Sequence, residues 1–130
     1  MQDRYLFRAK RLDNGQWVQG FICKKKYKSN KFYISCFHDK DDNEQFFAID
    51  PYTICQSTGL KDKNGRVIWE NDIVKHDFGE YQIGVQLAIV KYDSKYACYQ
   101  IKPIFDWMYC DKSDCEVIGN IFDNPELLEV

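Results

Sequence analysis

The 130-residue chain predicts a mainly β fold of short antiparallel strands. Apolar residues recur with a period of two rather than the helical 3.6. Turn signals such as Asp13-Asn14-Gly15, Asn64-Gly65 and Asp93-Ser94-Lys95 separate the strand-like runs. Many short strands joined by tight turns favour a small barrel over a sandwich.

The elements follow in order. Tyr5, Phe7 and Ala9 alternate with charged residues, Asp13-Asn14-Gly15 turns the chain, and Trp17 to Cys23 returns as the second arm of a hairpin. The run from Lys24 to Lys31 follows, with Ser29-Asn30 as its expected turn tip, and Phe32 to Phe37 reads as the next strand. A polar loop leads to Phe46 through Ile49, which Asp50-Pro51 stops. Residues 1–54 thus form an N-terminal β-hairpin region, and residues 55–130 form a second domain. There Asn64-Gly65 predicts a hairpin in which both residues accept positive φ. Arg66 to Trp69 returns, Glu70-Asn71-Asp72 turns again, and Ile73-Val74 opens a new strand. Tyr81, Ile83, Val85, Leu87 and Ile89 mark one face of a long strand, and Asp93-Ser94-Lys95 turns it back into Tyr96 to Ile104. The last strand is Glu116 to Ile118, with Gly119-Asn120 permitting a sharp bend. Asn124-Pro125-Glu126 reads as N-cap, first helical position and acidic first turn of a short C-terminal helical turn, packed by Leu127 and Leu128.

Composition bounds the class. With 45% hydrophobic and 16% aromatic residues the chain has enough apolar surface for a core. Its longest purely aliphatic run, Leu87 to Val90, is far short of the roughly 20 apolar residues a membrane span needs. The N-terminus lacks a signal-peptide pattern, so the expected location is the cytoplasm. In that compartment the six cysteines are expected as reduced, mostly buried small hydrophobes rather than as disulfides. Net charge is −2 but polarised: residues 1–65 carry +4 and residues 66–130 carry −6. Such polarity suits opposite charges facing each other within one fold, or head-to-tail contact between copies in a homo-oligomer.

Two blocks carry a family resemblance. Thr58 to Lys75 reads TGLKDKNGRVIWENDIVK, and Val117 to Leu128 reads VIGNIFDNPELL, with a weaker echo in Phe7-Arg8-Ala9. In that order they resemble the YopX family of phage and prophage proteins. The resemblance implies an SH3-like β-barrel in the C-terminal part, a phage or prophage origin and a host bacterial cytoplasm, with no established reaction. Where the family usually has Gly, this chain has Asn71, the residue that best replaces Gly at positive φ.

The chemistry-bearing residues favour structure over catalysis, and no enzymatic activity, cofactor or metal is expected. Asp62, Glu70 and Asp72 sit at turns, where carboxylates bond the backbone. Cys36 and His38 share a strand face, but Cys110 and Cys115 have an unusual ligand spacing for zinc. The acidic run 39–44 lacks the glycine and terminal glutamate of a calcium loop. Asn64, Gly65, Asn71, Gly119, Asn124 and Pro125 each answer a backbone demand. Function is expected in the variable stretches. Trp107 and Tyr109 are candidate anchors for a host or phage protein, since Trp and Tyr dominate interface hot spots. Lys24, Lys25, Lys26, Lys28 and Lys31, with Tyr27, form an alternative anion or nucleic-acid contact, although Lys-rich hairpins also protect sheet edges.

Overall fold

The structure, a computed structural model, describes residues 5–24, 31–36, 45–77, 85–95, 97–102 and 115–128. Among the described residues ten strands are formed: β1 (Phe7–Lys10), β2 (Trp17–Lys24), β3 (Phe32–Cys36), β4 (Gln45–Ala48), β5 (Cys55–Lys61), β6 (Val67–Trp69), β7 (Asp72–Asp77), β8 (Val85–Asp93), β9 (Cys98–Lys102) and β10 (Cys115–Asn120). The chain divides into two compact units, residues 1–57 and 58–130, with the division falling inside β5.

In the first unit β4, β3, β2, β1 and the start of β5 lie side by side in that order. The β1–β2 hairpin closes over Asp13-Asn14-Gly15, with Gly15 at φ 70° and the Asn14 side chain accepting from Gln16 N–H. At the far side, Ile49 bridges Arg11, and Leu12 N–H donates to the Ala48 carbonyl at 3.0 Å. The end of β4 therefore meets the end of β1. Ala9, Ile34 and Ile49 are fully buried at the centre, with Phe7, Val18, Ile22 and Phe47 packed around them. Asp50 does stop β4. Its carboxylate caps a 3₁₀ turn over Pro51–Thr53 by accepting from Tyr52 N–H at 3.0 Å.

In the second unit β5 continues into a hairpin with β6, and a separate sheet has the order β10-β7-β8-β9. Among the described residues β9 and β10 do not pair. Ile68, Val74, Ala88, Val90, Cys115 and Val117 form the core, with Leu60 and Tyr99 against it. The sequence alternation in β8 holds, and the face opposite Leu87 and Ile89 is the buried one. Ala88 and Val90 are fully buried while Leu87 is 37% exposed, because the register sets Ala88 opposite Val74. Tyr81 and Ile83 lie outside the described residues. Of the cysteines, Cys55 and Cys115 are buried and Cys23 and Cys98 partly so.

The β5–β6 hairpin is tied down by one carboxylate. Asp62 is 6% exposed, and its Oδ1 accepts from the N–H groups of Asn64 and Arg66, each at 2.9 Å. Its Oδ2 accepts from Val117 N–H at 2.9 Å, fifty-five residues away on β10. Lys63 N–H donates to the Cys115 carbonyl at 3.1 Å, and Arg66 Nη1 to the Val117 carbonyl at 3.3 Å. Within the loop from Asp62 to Arg66 only Gly65 adopts positive φ, at 82°. With Gly65 N–H bonded to the Asp62 carbonyl and Asp62 N–H to the Arg66 carbonyl, this is a three-residue loop ending in a left-handed Gly. The hairpin expected at Asn64-Gly65 is formed, and the Asp62 side chain, by holding Asn64 N–H, favours this three-residue loop.

Burial raises the pKa of Asp62, but the N–H groups of Val117, Arg66 and Asn64 outweigh it and hold the carboxyl below its ordinary value of 3.8. A lowered folded pKa contributes stability that is whole above the unfolded value and lost as pH falls through the folded one. Asp62→Ala is expected to lower the unfolding free energy by about 3 kcal/mol at neutral pH, since it leaves three N–H donors without their acceptor. The melting temperatures of wild type and variant should draw together as the pH falls below the ordinary carboxyl value of 3.8 and the folded carboxyl takes up its proton.

Candidate functional site

Of the turn residues singled out in the sequence, Asn71, Gly119 and Asn124 lie around the C-terminal end of β10. Asn71 adopts φ 70°, the left-handed conformation expected for it. Its N–H bonds the Val90 carbonyl at 2.9 Å, its carbonyl accepts from Ile121 N–H at 3.1 Å, and its Oδ1 accepts from Lys91 Nζ at 2.6 Å. Asp72, 1% exposed, accepts from Trp69 N–H at 2.8 Å and so closes the β6–β7 turn. The oxygens of Asp62 and Asp72 thus point at backbone donors. Among the described residues no group of three or more His, Cys, Asp and Glu side chains is placed to hold a metal ion.

Gly119 has a different reason from the bend expected for it. A Cβ there would stand 2.5 Å from Asn124 Oδ1, so the residue is needed for close approach. The register of β10 against β7 shifts between Val117 and Gly119, a bulge that takes in Ile118. Asn124 does not direct its Oδ1 forward as an N-cap. It accepts from Asn120 N–H at 3.2 Å, while Asn120 Oδ1 accepts from Phe122 N–H at 3.0 Å and Asp123 N–H at 2.9 Å. Pro125 begins a single 3₁₀ turn, Pro125–Leu128, rather than an α-helical one.

The candidate contact residues are less fully placed. Trp107, Tyr109, Lys25, Lys26, Tyr27 and Lys28 lie outside the described residues. Lys24 ends β2, and Lys31 is exposed immediately before β3. Of the proposed zinc set, His38 and Cys110 also lie outside the described residues, as does the acidic run 39–44.

Two aromatic surfaces escaped the sequence reading. In the second unit the core face of β8 runs from Ala88 through Val90 to Tyr92, where it emerges. Tyr92 is 48% exposed, and its ring meets Tyr99 edge-on with centroids 5.1 Å apart. In the first unit the register places Arg8, Lys10, Trp17, Phe21, Tyr33 and Phe46 on the sheet face opposite the core. Trp17 lies beneath Arg8 at 4.6 Å and Lys10 at 5.4 Å, a pair of cation–π contacts. Phe21 and Phe46 are each 37% exposed. Alternation in the sequence marks these residues as one face of each strand, but only the pairing shows that the faces adjoin.

The described residues thus form an antiparallel β architecture with carboxamide- and carboxylate-locked turns and partly exposed aromatic side chains. The chain matches the family profile described as YopX protein over residues 6–129, and it belongs to the YopX family. Its fold is similar to the crystal structure of protein EF1440 from Enterococcus faecalis. The two share 26% identity and a TM-score of 0.57 over 95% of this chain and 96% of that one. No curated protein matches it. Among the described residues no helix is long and apolar enough to cross a membrane.

Gly119→Ala is expected to cost about 2 kcal/mol in chemical denaturation, through overpacking against Asn124. Asn71→Gly should stay within about 0.5 kcal/mol of wild type, the lost Lys91 contact being offset by relief at positive φ, whereas Asn71→Val should cost about 2 kcal/mol.

Proposed function

We propose that this chain is a non-enzymatic accessory protein of phage or prophage, acting in the host cytoplasm by binding a host or phage protein. The second unit, read as an SH3-like barrel, supplies the docking surface. The exposed Tyr92 ring held against Tyr99 carries the reading. Such a ring offers a large, preorganised apolar contact with a polar tip, the type of side chain that concentrates binding energy in protein interfaces. The sequence following β9 brings Trp107 and Tyr109 into the same stretch of chain, and they serve as further anchors. The carboxylates of Asp62 and Asp72 each accept from backbone N–H groups, which supports a structural rather than a catalytic role for them.

Affinity capture from phage-infected or lysogenic cells, read by mass spectrometry, tests the proposal. A partner retained by wild type should be depleted about tenfold or more by Tyr92→Ala, and likewise by Trp107→Ala. A set of captured proteins unchanged by both substitutions would overturn it.

A further inference from the structure

The outer face of the first-unit sheet suits a different class of ligand, and we infer that it binds single-stranded nucleic acid. This inference does not depend on the protein-docking surface of the second unit, because the two use different residues.

Register carries the argument. Phe21 and Phe46 flank Ser35 in one cross-strand row, and Tyr33 occupies the middle strand of the next row. Strands stand about 4.8 Å apart and same-face neighbours about 7 Å apart, so the three rings form a patch with spacings of about 7 to 10 Å. Two of them keep more than a third of their surface in solvent. Aromatic rings on an open sheet are stacking platforms for unpaired bases, tolerant of sequence because every base has a π face.

Charge selects an anionic occupant. Residues 1–57 hold ten Lys and Arg against seven Asp and Glu, a net +3 within a chain whose total is −2. Lys31 is exposed two residues before Tyr33, on the β2–β3 hairpin that carries Phe21 and Tyr33. Arg8 and Lys10 extend the cationic character along the same face. Phosphates attract lysine and arginine whatever the base, while the rings take the bases. An acidic protein segment would use the cations without a general need for three adjacent rings. A neutral protein surface would use the rings without the cations.

Fluorescence anisotropy on the full chain, with a labelled oligothymidylate, is the test. Binding should weaken as salt rises, and Lys31→Glu should weaken it further. Phe21→Ala and Phe46→Ala should each reduce affinity about tenfold, whereas Phe21→Trp and Phe46→Trp should retain it. An abasic strand of equal length should bind at least tenfold more weakly than oligothymidylate. The inference is overturned by no binding at 50 mM salt or below, by equal affinity for the abasic strand, or by equal competition from polyglutamate. The Trp variants keep the test decisive if an Ala variant proves unfolded in circular dichroism.

Discussion

One carboxylate bridges the two sequence blocks that define this chain. Asp62 accepts three backbone N–H groups, two from its own hairpin loop and one from Val117 on the last strand. Loop conformation and long-range docking are therefore satisfied by the same buried group. Local bonds alone would stabilise the hairpin by amounts of about 1 kcal/mol each, comparable to the entropy of ordering one residue. The Val117 bond converts that local preference into tertiary structure. It sets the β5–β6 hairpin beside β10, whose inward face supplies Cys115 and Val117 to the core.

The same economy of turns recurs at the other end of β10. Asn120 and Asn124 each provide acceptors to nearby N–H groups, and Asn71 joins that region to β8 through Val90 and Lys91. Side chains with short, dipolar ends can meet backbone donors in places where strands must stop abruptly. That is why the turns of the second unit draw on Asn, Asp and Gly. The exposed residues of the sheet faces, such as Tyr92, Phe21 and Phe46, are under no comparable backbone demand.

Much of this was legible in the sequence. Local signals identified the hairpin at Asp13-Asn14-Gly15, the stop at Asp50, and the left-handed Asn71, because each is decided within a few residues. The features that local signals left open share a cause. Which face of β8 is buried, the close approach at Gly119 and the direction of Asn124 all depend on what a distant strand or returning turn places nearby. Asn64-Gly65 was recognised as a hairpin, but its loop type was decided by the carboxylate preceding it. The aromatic surfaces were least legible. Tyr92 resembles any strand tyrosine, and Phe21 becomes the neighbour of Phe46 only through the pairing of three strands. Recognising such a patch would have required the register, which alternation alone leaves open.

The bonds from the β5–β6 loop to β10 have one more effect. β10 is an outer strand of its sheet among the described residues, with β7 on one side. The Cys115 carbonyl and both backbone groups of Val117 are held from the other side, by Lys63, Asp62 and Arg66. An outer strand with its polar groups unclaimed is a template on which another chain can extend the sheet. Here the template is already occupied along its apolar stretch, and the bulge at Ile118 disrupts it beyond. The hairpin that completes the fold also works as a guard, denying self-templated aggregation its starting edge.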